Sequence, residues 1–144
     1  MVTFDLNGQD TSYSGPPDRS LLTVLREEFD LTAAKPSCEI GVCGACSVLV
    51  DGELVSSCCL LIGQLDGRAV QTLEGMLEEP QMCDLRRAFA EHGGFQCGFC
   101  TPGHLVAAYW RLRNGRETED VDNLCRCTGY YGIRRAIEAV ASCR

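Results

Sequence analysis

Two hydrophobic patterns divide the chain near residue 75. Before that point, apolar and polar residues alternate over short runs, as Val2, Phe4 and Leu6 do within VTFDL, and a two-residue period is typical of strands with one buried face. After that point, apolar residues recur three or four positions apart, which is typical of amphipathic helices. The patterns predict an α+β fold with a β-rich domain at residues 1–75 and a helical domain at residues 76–144.

The first half is predicted to form a small mixed sheet crossed by one helix. Asn-Gly at 7–8 and Asp-Gly at 51–52 each separate two β-rich runs, and such dipeptides readily close hairpins. Between the hairpins, Asp18 or Ser20 can cap a helix. Its apolar residues follow helical spacing: Leu21, Leu22, Leu25 and Phe29. The segment GRAVQTL adds one more short strand.

The second half is predicted to form a small helical bundle, because three apolar stripes have the helical period. They contain Leu85, Ala88 and Phe89, then Leu105, Ala108, Tyr109 and Leu112, and then Ile133, Ile137 and Val140. The polar segment RNGRETEDVDN, at 113–123, is typical of an exposed connection.

Composition narrows the classes of function. A net charge of -7 with 23% charged residues argues against a nucleic-acid partner, because an acidic surface repels phosphates. The segment MVTFDLNGQD lacks the basic and apolar regions of a signal peptide, and no apolar run approaches the ~18 residues of a membrane helix. We therefore predict a cytoplasmic protein without a transmembrane segment. In a reducing compartment, 11 cysteines favour metal ligation over disulfides.

Three cysteines of the first half have the spacing C-x4-C-x2-C: Cys38, Cys43 and Cys46. This is the plant-type ferredoxin spacing for a [2Fe–2S] cluster, which takes a fourth thiolate from further along the chain. Gly41 and Gly44 let the backbone curl around such a cluster and point N–H groups at its sulfur atoms. Zinc usually takes cysteine pairs, so the triplet with glycines favours iron–sulfur.

Either Cys58 or Cys59 can supply the fourth thiolate. If Asp-Gly at 51–52 is a two-residue hairpin loop, Cys46 lies opposite Ser57, and alternation then places Cys59 on the face of Cys46. A bulge or the end of the strand at this point removes that parity argument. Hairpin geometry alone therefore leaves both cysteines open.

A second group of cysteines has the spacing C-x2-C followed by C-x-C: Cys97, Cys100, Cys125 and Cys127. Thr101-Pro102 and Thr128-Gly129 follow the two pairs and are typical of helix starts. Helix N-termini present free N–H groups and positive dipole ends, which suit an anionic thiolate cluster. The C-x2-C pair alone is also compatible with a redox dithiol or half of a zinc site. The matched second pair favours one four-thiolate site.

Three motifs, CEIGVCGACSVLVDGELVSSC, QCGFCTPG and NLCRCTGY, together make the chain closely similar to one protein family. It resembles the small iron–sulfur subunit of the molybdenum hydroxylases, the family of xanthine dehydrogenase, carbon monoxide dehydrogenase and aldehyde oxidoreductase. The resemblance extends over essentially the whole chain. It implies an N-terminal β-grasp domain, similar to plant-type ferredoxins, and a C-terminal four-helix domain, with one [2Fe–2S] cluster in each.

The resemblance also implies the ligands of both clusters. The outer cluster would be held by Cys38, Cys43, Cys46 and Cys58, and the inner cluster by Cys97, Cys100, Cys125 and Cys127. Cys58 is favoured because the family's fourth ligand follows a small polar residue such as Ser57, whereas the position of Cys59 is usually apolar. Gln96 and Cys127 match the residues that contact the pterin of the molybdenum cofactor.

The function implied by the resemblance is electron transfer within a heterotrimeric oxidoreductase. A large subunit would hold molybdenum bound to molybdopterin cytosine dinucleotide, and a medium subunit would hold FAD. Electrons would pass from molybdenum through the inner and then the outer cluster to FAD, and two heterotrimers would form a dimer. The sequence is consistent with an electron-transfer role, because it contains no phosphate-binding glycine motif and no set of residues that would activate a nucleophile. No catalytic residue is therefore expected.

Two features depart from the family. The segment between Cys100 and Cys125 is shorter than the family's spacer, which has an additional helix, so we expect one bundle helix to be truncated. KPSC at 35–38 replaces the usual KxGC, and its proline removes a backbone N–H near the outer cluster.

The remaining cysteines and histidines are expected to be structural. The cysteines are interpreted as small buried or neutral surface thiols: Cys59, Cys83 and Cys143. His92 is expected at a helix end, and His104 is expected to pack or to meet a partner.

Overall fold

The computed structural model describes residues 1–143, and this range contains five strands and five α-helices. The strands are β1 (Val2–Leu6), β2 (Gln9–Tyr13), β3 (Ser47–Val50), β4 (Glu53–Ser56) and β5 (Ala69–Gln71). The helices are α1 (Leu21–Glu27), α2 (Leu73–Met76), α3 (Pro80–Glu91), α4 (Thr101–Arg113) and α5 (Tyr131–Ala141). Residue 144, the end of the predicted helical domain, lies outside the described residues.

The strands form one mixed sheet in the order β2-β1-β5-β3-β4. β1 and β5 are parallel, whereas the other neighbouring strands are antiparallel. Both predicted hairpins are confirmed, because their turn residues have positive φ: Asn7 55°, Gly8 83°, Asp51 51° and Gly52 82°. Positive φ at both turn positions matches the right-handed twist of the flanking strands.

Helix α1 covers one face of the sheet. Ser20, and not Asp18, caps its N-terminus, because the Ser20 hydroxyl accepts a hydrogen bond from the N–H of Thr23 at 3.2 Å. The predicted apolar residues are buried in this helix except for Phe29, which lies beyond the helix end. A first hydrophobic core fills the space between α1 and the sheet and includes Phe4, Leu21, Val24, Leu25, Val48 and Val70.

The long helices pack beside the opposite face of the sheet. Every residue of the three predicted apolar stripes lies in the second hydrophobic core that these helices form. Leu49 of β3 also belongs to this second core, whereas its neighbours Val48 and Val50 belong to the first. Because alternate residues of a strand point to opposite faces, β3 is buried on both sides and joins the sheet to the helices.

The predicted α+β class is confirmed, with the sheet in the first half and the helices in the second. The helical half contains three long helices and one short helix, and the short helix lies outside the spacer between Cys100 and Cys125. α2 is a single turn of 4 residues, and residues 114–130 contain no helix or strand. Within residues 1–143, none of the helices has the length and apolar character needed to cross a bilayer.

Candidate metal centres

Three cysteines of the outer site (Cys38, Cys43, Cys46 and Cys58) lie on the loop that leads into β3. Backbone φ is positive at three residues of this loop: Glu39, Gly41 and Gly44. The resulting bends bring three N–H groups to the sulfur of Cys38. They belong to Ile40 at 3.5 Å, Val42 at 3.3 Å and Cys43 at 3.3 Å. A fourth N–H, from Ala45, donates to the sulfur of Cys43 at 3.4 Å.

These donors favour the ionised form of Cys38. Hydrogen bonds from backbone N–H groups, first that of Ile40, lower the pKa of the Cys38 thiol to about 6, because they stabilise a negative sulfur. The thiolate is the form that binds metal. The loop therefore fits the iron–sulfur cluster that its cysteine spacing predicts.

The geometry of Cys58 and Cys59 depends on where strand β4 ends. β3 and β4 pair in the register that a two-residue loop predicts. After Ser56 the chain leaves the sheet as a 3-10 turn at Ser57–Cys59, so the alternation of faces stops. Cys58 is half-buried and lies near the thiol of Cys46, whereas Cys59 is exposed. Strand alternation therefore does not decide between Cys58 and Cys59, because β4 ends before both of them.

Cys58 is held in a poorly hydrated position. Burial, followed by the nearby thiol of Cys46, raises the pKa of the Cys58 thiol to about 12, against the opposing effect of the nearby Gly41 N–H. A metal ion at this position would offset that effect, because coordination deprotonates a thiol outright.

The inner site (Cys97, Cys100, Cys125 and Cys127) is formed by two segments that precede α4 and α5. Thr128 donates twice to the sulfur of Cys125, from its hydroxyl at 3.1 Å and from its N–H at 3.4 Å. Burial alone would raise the pKa of Cys125, but these bonds lower it below the ordinary value. Burial, followed by the nearby thiol of Cys125, raises the pKa of Cys100 to about 12.

Both predicted helix starts lie beside these cysteines, but the caps differ from the prediction. α4 begins at Thr101 itself, with Cys100 at the N-cap position. The buried Thr101 hydroxyl has no hydrogen-bond partner within the described residues, so it does not cap the helix. α5 begins at Tyr131 after Tyr130, whose φ is 66°. The Tyr130 hydroxyl accepts a hydrogen bond from the N–H of Cys125 at 2.9 Å.

The thiols of both sites lie near one another in pairs, and in each pair one thiol affects the pKa of the other. The outer pairs are Cys38 with Cys43 and Cys46 with Cys58, and the inner pairs are Cys97 with Cys127 and Cys100 with Cys125. Among residues 1–143, no three His, Cys, Asp or Glu side chains form a group that could hold one metal ion. A [2Fe–2S] cluster has four thiolates shared by two irons, and pairs of thiols fit that requirement at both sites.

Hydrogen bonds connect the two sites directly. The N–H of Leu124, the residue before Cys125, donates to the carbonyl oxygen of Cys43 at 2.8 Å. The side-chain amide of Asn123 donates to the carbonyl oxygen of Gly44 at 2.9 Å. A Cβ at residue 44 would overlap that amide, so glycine is required there both for space and for its φ of 72°.

The start of α4 packs against the same loop. A Cβ at Gly103 would overlap the carbonyl oxygen of Gly44 and would lie 3.0 Å from the Cα of Ala45. Backbone atoms cannot move aside as a flexible side chain can, so only glycine fits at residue 103. We refer to the contact formed by Gly44, Ala45, Gly103, Asn123 and Leu124 as the bridge.

One cavity lies between the two sites, with a volume of about 460 Å³. Cysteines from both sites line it: Cys38, Cys43, Cys97, Cys100, Cys125 and Cys127. A larger depression of about 620 Å³ lies on the sheet beside β1 and β2, and no cysteine is among its lining residues. The thiol-lined cavity, and not the larger depression, therefore contains the groups suited to metal chemistry.

The other predicted residues lie near the inner site or at helix ends. Gln96 and Cys127 are both exposed, and His92 ends α3 as expected. His104 is buried, and burial, followed by the charge of Arg111, lowers the pKa of its imidazole to about 4. His104 is therefore neutral at pH 7 and packs inside the fold, as expected.

The three cysteines outside the two sites differ in their surroundings. Cys59 and Cys143 are exposed, and Cys83 is half-buried. The Cys83 thiol donates to the carbonyl oxygen of Leu77 at 3.3 Å. Cys83 is therefore a locally bonded structural thiol.

Sequence reasoning assigned no role to three bridge residues: Gly103, Asn123 and Leu124. Each lies inside a motif that also contains inner-site cysteines, QCGFCTPG or NLCRCTGY, or directly before it. Their position beside the cysteines was the only sequence feature that could have pointed to a role. Their contacts are with a loop more than 50 residues away in the chain.

Comparisons with known proteins agree with this geometry. The family described as "2Fe-2S iron-sulfur cluster binding domain" matches residues 4–74, and the family described as "[2Fe-2S] binding domain" matches residues 72–138. Both halves of the chain therefore match iron–sulfur domains.

Individual relatives match nearly the whole chain. The "Nicotinate dehydrogenase small FeS subunit" of Eubacterium barkeri is 41% identical over 150 residues, which cover 99% of this chain and 96% of that protein. The "Xanthine dehydrogenase iron-sulfur-binding subunit" of Escherichia coli O157:H7 is 39% identical over 137 residues, which cover 89% and 86%. A chain in the crystal structure of quinoline 2-oxidoreductase from Pseudomonas putida 86 has a TM-score of 0.88 and 36% identity, and the match covers 98% of this chain and 93% of that one.

Proposed function

Because the chain belongs to the family of small [2Fe–2S] subunits of the molybdenum hydroxylases, we propose that it relays electrons from a molybdenum cofactor in a large subunit to FAD in a medium subunit. It is a component of an oxidoreductase complex and supplies no catalytic residue of its own. The observation that carries the proposal is the direct contact between two four-cysteine sites, six of whose eight cysteines line one cavity.

The proposed ligands are Cys38, Cys43, Cys46 and Cys58 for the outer cluster and Cys97, Cys100, Cys125 and Cys127 for the inner cluster. Bound there, two [2Fe–2S] clusters would split a two-electron oxidation into single-electron steps. The N–H groups around Cys38 and the hydroxyl of Thr128 would stabilise the added negative charge. We also propose two domains, 1–75 and 76–144, with a boundary inside α2.

The bridge supports transfer between the two sites. The hydrogen bond from the N–H of Leu124 to the carbonyl oxygen of Cys43 is 2.8 Å long. Leu124 is bonded covalently to Cys125, so this one hydrogen bond joins a proposed ligand of each cluster. A short bonded connection of this kind suits a chain in which two clusters act in series.

Exposed apolar side chains beside each site support two protein partners. Ile40 and Val42 of the outer loop are 71% and 60% exposed, and Phe99 and Leu124 beside the inner site are 46% and 53% exposed. Grouped apolar residues at a surface mark interaction sites. We propose that the inner side faces the large subunit and the outer side faces the medium subunit.

Gln96 and Cys127 are the proposed contacts to the pterin of molybdopterin cytosine dinucleotide in the large subunit. Both residues are exposed, so a partner can reach them. We propose a heterotrimer of small, medium and large subunits, and a dimer of such heterotrimers. None of the 11 cysteines, all of which lie within residues 1–143, forms a disulfide, which suits a reducing compartment and supports the cytoplasm as the location.

Visible absorption of the purified complex tests the proposed function. We expect a brown protein whose bands are bleached by dithionite, with about four iron atoms for each copy of this chain, two in each cluster. A colourless protein that contains zinc would contradict the proposal. A brown chain that purifies without two larger subunits would indicate a free-standing electron carrier instead.

Thr128→Val should lower the reduction potential of the inner cluster. The substitution removes the hydroxyl that donates to the sulfur of Cys125 at 3.1 Å, and such bonds stabilise the reduced, more negative cluster. We expect the potential to fall by on the order of 50 mV. This fall corresponds to nearly a tenfold change in the one-electron equilibrium, because a tenfold change is about 59 mV. The measurement is a redox titration followed by EPR.

Thr128→Ser is the matched control, because it keeps the hydroxyl and should leave the inner potential unchanged. The outer cluster should titrate as in the wild type in both variants. An unchanged inner potential in Thr128→Val would show that the hydroxyl does not act on the cluster.

A further inference from the structure

Five thiols surround the outer site, although the proposed cluster uses four. Cys59 follows Cys58 on the same 3-10 turn, and their sulfur atoms are 3.7 Å apart. The family resemblance gives Cys59 no role. Rotation about a single side-chain bond moves a cysteine sulfur between staggered positions a few ångströms apart. The 3.7 Å between the two sulfur atoms is comparable to the movement that one such rotation produces.

The thiols of Cys58 and Cys59 both lie near Gly41 of the outer loop. The Gly41 N–H lies near the sulfur of Cys58 and acts to lower the pKa of that thiol. A Cβ at residue 41 would lie 2.9 Å from the sulfur of Cys59. A larger residue at position 41 would displace Cys59, so the glycine leaves the space in which this fifth sulfur lies against the loop.

The two thiols differ in their access to solvent. Cys58 is half-buried and packs against the first hydrophobic core, where it also lies near Cys46. Cys59 is exposed. Cys58 is therefore the thiol that packing favours as the resting ligand, and Cys59 is the neighbouring thiol that solvent can reach.

We propose that Cys59 is an alternative ligand of the outer site and exchanges with Cys58 at the same iron. This inference rests on the proposed function, because it requires an iron–sulfur cluster at the outer site. In the exchange, the sulfur of Cys59 would form a bond to the iron as the bond from the sulfur of Cys58 broke. The proton of the Cys59 thiol passes to Cys58, and no electron is transferred. The site therefore keeps its cluster when Cys58 is removed.

The test compares Cys58→Ala, Cys59→Ala and the double variant in the purified complex, by iron content and by EPR after reduction with dithionite. Cys58→Ala should keep both cluster signals, with shifted g values for the outer cluster. Cys59→Ala should keep both signals unshifted. The double variant should lose the outer signal and about two iron atoms per chain, the content of one cluster.

Cys43→Ala is the matched control, because it removes a proposed ligand that has no second cysteine at the next position. Cys43 is buried and is followed by a glycine, so the next position offers no second thiol. This variant should lose the outer signal even though Cys58 and Cys59 are both present. The inner signal reports in every variant whether the chain has folded.

Loss of the outer signal in Cys58→Ala, with the inner signal intact, would overturn the inference. Retention of the outer signal in the double variant would also overturn it, because some other group would then be the ligand. A wild-type complex without an outer signal would contradict the proposed function instead.

A second comparison is needed if the Cys58→Ala complex cannot be purified. The Cys58→Ser variant is then compared with the double variant that also carries Cys59→Ala. We expect the outer-cluster spectrum of Cys58→Ser to change when Cys59 is also replaced, because Cys59 would no longer be there to supply the thiolate. Identical spectra in the two variants would overturn the inference.

Discussion

The Cys43→Ser variant should lose turnover with the flavin-side acceptor, while substrate still reduces molybdenum and the inner cluster in a single turnover. Cys43 is buried in the outer loop and is a proposed ligand of the outer cluster only. In the proposed order the outer site lies after the inner site, so its disruption interrupts the second half of the relay. We expect steady-state turnover to fall more than tenfold, which corresponds to at least ~1.4 kcal/mol of barrier. Rapid-freeze EPR after mixing with substrate measures the first turnover.

Cys127→Ser is the contrasting variant, because Cys127 is a proposed ligand of the inner cluster and a proposed neighbour of the pterin. It should block the relay at its first step, while dithionite still reduces the outer cluster. The order would be wrong if the Cys43→Ser complex, with a loaded and reducible molybdenum site, showed no reduction of the inner cluster.

Gly103→Val should destabilise the bridge and with it the contact between the two sites. A Cβ at residue 103 would overlap the carbonyl oxygen of Gly44 and would approach the Cα of Ala45 to 3.0 Å. Overpacking of this kind costs ~1–3 kcal/mol even where side chains can adjust, and here the obstacles are backbone atoms. We expect the apparent melting temperature of the complex to fall by roughly 5 to 10 °C. We also expect slower electron transfer from the inner to the outer cluster in stopped-flow measurements.

Gly129→Ala is the matched control for this variant. Gly129 also lies beside the inner site, but a Cβ there would meet no atom within 4 Å. Its melting temperature and its electron-transfer rate should therefore equal those of the wild type. A Gly103→Val complex that matched the wild type in both measurements would show that the bridge does not hold the two sites together.

Local patterns predicted most of the secondary structure and the two groups of cysteines. The Asn-Gly and Asp-Gly turns depend on the φ preferences of adjacent residues, so both hairpins were predicted correctly. The apolar stripes predicted the second core because a helix places residues three and four apart on one face. The cysteine spacings predicted the two sites because most ligands are close in the sequence. Three cysteines of the outer site lie on one short loop, and the inner site consists of two closely spaced pairs.

Contacts between distant segments were outside the reach of these patterns. The hydrogen bond from Asn123 to Gly44 joins residues 79 positions apart, and the packing of Gly103 on the same loop is visible only once α4 lies beside β3. Neither contact follows from a periodic pattern, because both depend on how the helices dock on the sheet.

The positions of Cys58 and Cys59 could not be predicted from local sequence patterns alone. The sequence correctly determined the register of the hairpin before them, since turn length and strand alternation are local properties. It did not determine that the strand stops at Ser56, which depends on the packing of the following turn. In the folded chain Cys58 packs against the first core beside Cys46, and Cys59 is left exposed at the loop. Burial against a core formed by distant residues, and not the alternation of the strand, therefore places the two thiols.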